Sequence, residues 1–390
     1  MEDRIPLARP NFGTEELAAL QETLASGWVG SGPRTAELER RFAEELGVKH
    51  AIALNSASAA LHLAMLAAEV DGQEVLTTSM TFVSTNHAIL LGGGRPVFCD
   101  IDPDTLNVSP HELARKVTPT TRAVVVVHYG GHACDMDPIL QLAREHGLWV
   151  IEDNAHGCGG LYRGRRLGTL GSMGCFSFQA TKNMTTGDGG MLVTDDPALA
   201  ARVKRLRWMG ISRPTWERFR PGRPRRSWMY DVEEVGFKYE MNDLAATLGL
   251  VQLDKVAQAN EQRRQLVARY RAAFDGVEGV ELLGEQAYAR SSCYNAVVRV
   301  EPEARDELCE YLDQHGIDSN VHYYPNHLLP LYRPYTTRLP VTETEWRRIL
   351  SIPLFPGLRD DQQDRVIECV REFAAARARG RHRSASEARA

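Results

Sequence analysis

With 390 residues the chain is too long for one small hydrophobic core, so two lobes, or a large lobe with an appendage, are expected. A hydrophobic fraction of 43% with 25% charged residues is ordinary for a soluble globular enzyme, and a net charge of −5 argues against a general nucleic-acid or membrane-surface role. The 7 cysteines are scattered and never spaced CxxC, which argues against a zinc site or a disulfide framework and suits a reducing compartment. The opening Met1-Glu2-Asp3-Arg4 lacks the basic-then-apolar order of a secretion signal, and no apolar run approaches the ~20 residues of a membrane span. A cytoplasmic protein without a metal centre is predicted.

Through the first half, β-branched runs alternate with helical patterns, the signature of a parallel sheet covered by helices. Residues 51–54 read as a strand and the Ala-rich 58–68 as a helix. A strand at 74–77, a helix at 84–91 and a strand at 95–100 follow. Residues 123–128 are an apolar run of the kind buried on both faces inside a parallel sheet. A helix at 137–146 leads into a strand at 148–153, and 191–194 is a further strand after a glycine-rich turn. Residues 213–230, rich in arginine, proline and aromatics, read as a long surface loop, and a long amphipathic helix at 242–274 links the lobes. A strand at 293–300 and helices at 305–315 and 361–376 make a smaller α+β lobe. The expected architecture is α/β, with a large domain over 1–255 and a small one over 256–378. The polar tail, 379–390, lacks apolar periodicity and is predicted to be disordered.

Lys182 follows the aromatic stretch Phe176-Ser177-Phe178 and precedes the turn Thr185-Thr186-Gly187-Asp188-Gly189-Gly190. An amine that attacks an aldehyde must be neutral, and at pH 7 only about one unperturbed lysine in two thousand is. Desolvation by Phe176, Phe178 and Met184, or an existing bond to a carbonyl cofactor, removes that obstacle. The alternative is a lysine stem packed over a strand end with its head in water. Ligands of open α/β sheets sit beyond the carboxyl ends of the strands, where Asp153 falls. Its carboxylate can hold a proton on a heteroaromatic ring nitrogen, making that ring an electron sink, or can cap the following helix. Ser56-Ala57-Ser58 stands at a strand-to-helix junction, where N–H groups and hydroxyls either bind a phosphate or only cap the helix. Phe82 can lie flat on a cofactor ring or belong to the core, and His156 can bond a ring hydroxyl or be structural. An amine, a strand-end carboxylate, a phosphate turn, an aromatic and a histidine together describe pyridoxal phosphate.

The chain resembles the DegT/DnrJ/EryC1/StrS family of sugar aminotransferases. The resemblance runs in order through Trp28-Val29-Gly30-Ser31-Gly32-Pro33, Thr81-Phe82-Val83-Ser84-Thr85, Gly94-Arg95-Pro96-Val97-Phe98, Ile151-Glu152-Asp153-Asn154-Ala155-His156, the lysine segment and Leu350-Ser351-Ile352-Pro353-Leu354-Phe355-Pro356. It implies fold type I of the pyridoxal-phosphate enzymes, with a mostly parallel seven-stranded sheet between helices and a smaller C-terminal α+β domain. By this resemblance Lys182 is the catalytic lysine that bonds the cofactor, and Asp153 partners its ring nitrogen. His156 approaches the ring hydroxyl, Phe82 stacks on the ring, and Ala57, Ser58 and Ser177 hold the phosphate. Lys238 matches a position that reaches the phosphate of a neighbouring subunit, which implies a homodimer with shared active sites. Tyr324 and His327 match positions that contact substrate. The chain departs from the family's usual Ser-Gly-Thr at Ser56-Ala57-Ser58, has Asp188 for a usual Glu, and has Glu240 for a common Asn or Arg. Family members that act as dehydratases carry histidine where Lys182 stands, so transamination is expected.

Arg213, Arg218, Arg220, Arg223, Arg225 and Arg226, with Trp216 and Trp228, either suit a nucleotide diphosphate or form a solvated basic loop. Such a loop resembles those of enzymes acting at C4 of 4-keto-6-deoxy nucleotide sugars. The expected reaction moves an amino group from glutamate to such a nucleotide-linked keto sugar in amino-sugar biosynthesis. Amination of a 3-keto sugar or cyclitol ketone is the alternative within the fold, and a non-catalytic cofactor-binding regulator the more distant one.

Overall fold

The computed structural model describes residues 4–211 and 230–387, with side chains to residue 380. Helices α1 (Thr14–Ala25) and α2 (Pro33–Leu46) precede the sheet. Short apolar runs then form β1 (His50–Leu54), β2 (Glu74–Thr78), β3 (Arg95–Cys99), β4 (Thr121–Val127) and β5 (Trp149–Asp153). A small hairpin, β6 (Leu161–Tyr162) and β7 (Arg165–Arg166), leads to β8 (Met173–Ser177) and β9 (Gly190–Thr194). The large sheet has seven strands in the order β1-β9-β8-β5-β4-β2-β3. Strand β9 alone runs against its neighbours, because the chain turns back beside β8 without a crossover. The other pairings are parallel, so the sheet is mostly parallel as the resemblance implies.

Crossover helices cover both faces. Ala123 and Val125 of β4 pack under α3 (Ala57–Ala67), α4 (Val83–Leu91) and α7 (Pro197–Arg207). The alternate residues Val124 and Val126 face α5 (Pro110–Lys116) and α6 (Met136–His146). Burial on both faces explains why β4 is apolar without alternation. The parallel strands β1, β2, β4, β5 and β8 end along one edge of the sheet, and the loops there carry the candidate site.

Helix α8 (Asp243–Phe274) gives Leu250, Leu253 and Val256 to the core beneath α2, then Tyr270 and Phe274 to a second core. It joins the two packed regions, as its length predicts. The second core lies under β10 (Glu281–Leu282), β12 (Ala296–Arg299) and β13 (Ile349–Ile352), with α9 (Pro302–Gln314) and α11 (Asp360–Glu387) packed on it through Leu308, Leu312, Val366 and Val370. The strand β11 (Ala289–Arg290) extends the β6–β7 hairpin, and α10 (Pro340–Glu345) precedes β13. The expected strand at 293–300 is shorter, beginning at Ala296. The tail predicted to be disordered is corrected as well, since α11 continues through it to Glu387. Ala374, Ala375, Ala376, Arg377 and Ala378 are strong helix formers, and their propensity carries the helix on without an apolar stripe. Among the described residues no helix is long and apolar enough to cross a membrane.

One buried carboxylate pins the N-terminal arm. Asp243 Oδ1 accepts from the Gly32 N–H at 2.8 Å, the Thr35 N–H at 2.9 Å and the Thr35 hydroxyl at 2.7 Å, while Oδ2 accepts from the Arg34 N–H at 3.1 Å. It thus caps α2, whose own N-cap is a glycine without a side-chain acceptor. Asp243→Ala should destabilise the protein by about 3 kcal/mol, read as a lower thermal midpoint.

Candidate active site

Strand β5 carries two adjacent carboxylates that its alternation sends to opposite faces. Glu152 turns inward, is fully buried, and accepts from the N–H groups of Gly168 at 2.8 Å and of Leu170 and Gly171 at 2.6 Å. It also pairs with His128 Nε2 at 2.9 Å. Asp153 faces the cavity at the sheet edge. Its Oδ2 accepts from the Thr85 hydroxyl at 2.7 Å and its Oδ1 from the Ala155 N–H at 3.1 Å. Thr85 is held in turn by the Thr81 hydroxyl at 2.8 Å. Burial raises the Asp153 pKa above the ordinary carboxyl value, against the lowering effect of these two hydrogen bonds and of Lys182.

Lys182 stands on the turn between β8 and β9, closed by Phe178 N–H to Gly189 C=O and Thr186 N–H to Phe178 C=O, both 2.9 Å. Its Nζ donates to the Tyr294 hydroxyl at 3.0 Å. His156 stacks on the Tyr294 ring at 4.2 Å, and its Nε2 pairs with the Tyr323 hydroxyl at 2.9 Å. Burial first, then the neighbouring Lys182 and His322, hold the His156 pKa well below its usual value, so the imidazole is neutral. Its Nδ1 is buried and finds no hydrogen-bond partner among the described residues. Burial and Lys182 likewise push His322 down to about 4.

The opposite end of the cavity is built for an anion. Ser56 caps α3, its hydroxyl accepting from the Ala59 N–H at 3.1 Å. That leaves the first-turn N–H groups of Ala57 and Ser58 at the positive end of an 11-residue helix. Gly190 lets β9 pass close beside this turn, since a Cβ there would lie 2.4 Å from the Ser56 carbonyl carbon. Ser177 ends β8 beside it.

Ala57, Ser58, Phe82, Asp153, His156, Ser177 and Lys182 all line one cavity of about 550 Å³. Ser56 caps the helix while Ala57 and Ser58 face the cavity. Phe82 is a wall and not a core residue, being 58% exposed. Other expected residues lie elsewhere. Lys238 does not line this cavity; it extends over the Trp208 ring at 3.7 Å, paired with Glu240, its side chain 64% exposed. Tyr324 packs edge-on against Trp346 at 5.0 Å, outside the cavity lining. His327 is corrected to a buried structural residue, its Nδ1 2.6 Å from the Ser79 hydroxyl and its Nε2 3.5 Å from Glu343. Arg213 and the other arginines of that loop, with Trp216 and Trp228, lie outside the described residues. Tyr294, Tyr323, His322 and Thr85 were not read as site residues. The adjacent pair Tyr323-Tyr324 was the one available signal for Tyr323.

A carboxylate for a protonated ring nitrogen, a helix N-terminus with two hydroxyls for a phosphate, and an amine for an aldehyde fit pyridoxal phosphate. Among the described residues no group of three or more His, Cys, Asp or Glu could hold a metal ion. Fold and site define a fold type I, pyridoxal-phosphate-dependent aminotransferase. The spore coat polysaccharide biosynthesis protein SpsC of Bacillus subtilis (strain 168) is 41% identical over 379 residues, spanning 95% of this chain and 97% of its own. The chain belongs to the DegT/DnrJ/EryC1/StrS aminotransferase family, whose model matches residues 10–371. The aminotransferase TlmJ of Streptoalloteichus hindustanus superposes with a TM-score of 0.90 at 37% identity, over 96% of this chain and 99% of that one. Spr1654 of Streptococcus pneumoniae, solved in a PLP form, matches with a TM-score of 0.89 at 29% identity, over 96% and 99% of the two chains.

Proposed function

We propose that this sugar aminotransferase moves an amino group from glutamate to a nucleotide-diphosphate-linked 4-keto-6-deoxy sugar, in the cytoplasm and in amino-sugar biosynthesis. The observation that carries the reading is the convergence of Lys182, Asp153 and the α3 N-terminus on one cavity. Bound pyridoxal phosphate supplies an electron sink for the donor's Cα and a carrier for the amino group. The Asp153 carboxylate keeps the proton on the ring nitrogen, which keeps that sink strong. The N–H groups of Ala57 and Ser58 and the hydroxyls of Ser58 and Ser177 hold the phosphate. Phe82 covers a ring face, and the unpaired Nδ1 gives His156 a free position for the ring hydroxyl. Lys182 Nζ takes the proton from the donor's Cα and later returns a proton in the reverse sense to the acceptor.

The working unit in this reading is a homodimer. Exposed Val232 and Val235 precede the exposed Lys238 on the same segment, apolar side chains that a second copy would cover while Lys238 reaches its partner's phosphate. The division into domains 1–255 and 256–378 belongs to the same proposal, supported by the separate cores at the two ends of α8.

A mass-spectrometric screen of keto nucleotide sugars with glutamate tests the substrate. Conversion of ketone to amine on a 4-keto-6-deoxy nucleotide sugar is the expected result. Amination of a free 3-keto sugar or cyclitol ketone alone would overturn the nucleotide reading. No loss of the cofactor's visible absorbance with any amino donor would overturn turnover itself.

A further inference from the structure

One side chain meets the Lys182 amine in two ways. The Tyr294 hydroxyl lies 3.0 Å from Nζ, and the centre of its ring 4.2 Å from the same atom. An ammonium can donate to the phenolic oxygen and also rest on the electron-rich ring. Lys182 Nζ makes no other hydrogen bond and no ion pair among the described residues. The tyrosine is itself fixed. Its ring stacks on His156 at an interplanar angle of 18°, and its N–H donates to the Gly130 carbonyl at 3.0 Å. The Tyr323 hydroxyl holds His156 from the other side of the cavity wall.

A lysine freed from a covalent partner regains the rotamers of its long stem, and proton transfer needs its Nζ in one place. We propose that Tyr294 is the positioning residue for Lys182 whenever that amine is not bonded to the cofactor, holding it between proton uptake from the donor and proton return to the acceptor. The inference rests on the catalytic reading of Lys182 above. It assigns the hydroxyl and the ring separate shares, since either can engage the amine without the other.

Wild type, Tyr294→Phe and Tyr294→Leu are each loaded with pyridoxamine phosphate, which leaves Lys182 as a free amine, and treated with an acetylating reagent. Acetylation of Lys182 is followed by peptide mass spectrometry against Lys204, exposed on α7, as the internal reference. Loss of the hydroxyl in Tyr294→Phe should speed Lys182 acetylation roughly tenfold, as losing a hydrogen bond to a charged group does, and Tyr294→Leu should speed it further. In the pyridoxal-phosphate form, single-turnover reaction with glutamate should slow in the same order, with the glutamate concentration at half-maximal rate unchanged. Equal or slower acetylation in both variants overturns the proposal, and so does faster acetylation without a slower half-reaction. Loss of cofactor from Tyr294→Phe with unchanged acetylation would assign Tyr294 to the cofactor instead of the amine. Failure of the underlying reading looks different, because Lys182→Ala would then still turn over.

Discussion

Lys182→Ala should retain the fold and lose transamination by at least about 10⁴-fold, since it removes both the nucleophile and the proton carrier. Among the described residues the amine's one hydrogen bond is to Tyr294, so its loss leaves no buried charge unpaired there and the thermal midpoint should stay near that of wild type. Steady-state amine transfer from glutamate is the measurement, with the melt as the control for folding. Appreciable turnover by the variant would refute the role given to Lys182.

Asp153→Asn should cost roughly 10²–10³-fold in kcat, because a neutral amide cannot hold the positive charge on the ring nitrogen that the electron sink requires. The same change should stabilise the cofactor-free protein at neutral pH. Burial raises the Asp153 pKa above its ordinary 3.8, so the unfolded chain releases this proton at a lower pH than the folded one. As pH rises through that interval the unfolded state binds fewer protons than the folded state, and stability falls. Below 3.8 the carboxyl is protonated in both states and the penalty vanishes. The asparagine variant should therefore melt above wild type at pH 7, with the gap closing as pH falls. Its Oδ1 can keep the Ala155 N–H, and its amide can donate to a Thr85 hydroxyl turned toward Thr81, so the hydrogen bonds survive. Thermal melts of both proteins without cofactor, across pH, check the sign. A variant no more stable than wild type at pH 7 would mean that Thr85 and Ala155 fully offset the burial cost.

The parts of the site legible in the sequence are those that regular elements place. Asp153 closes a strand, Ala57 and Ser58 open a helix, and Ser177 ends β8, so strand and helix periodicity alone delivers them to one sheet edge. Residues on irregular segments were not legible in the same way. Between His322 and His327 the side chains are aimed by contacts with a distant part of the chain. The Asn326 amide donates to the Thr81 carbonyl and accepts from Asn86, both at 2.8 Å, and that anchor turns His327 inward while Tyr323 faces the cavity. No local pattern encodes an anchor 240 residues away. Tyr294 was hidden for a related reason. It precedes the true start of β12, so the alternation of a strand does not govern where it points.

The paired carboxylates of β5 bear on how faithfully the sheet must assemble. Strand β5 lies between β4 and β8 in parallel register, with Val127 opposite Asp153 on one side and Cys175 on the other. A slip of one residue would exchange the faces of Glu152 and Asp153. Glu152 would then stand in the cavity, and the N–H groups of Gly168, Leu170 and Gly171 would lose the acceptor that gathers them. The misregistered chain would be unstable for the same reason that it would be inactive, so little of it could persist as a folded but dead enzyme.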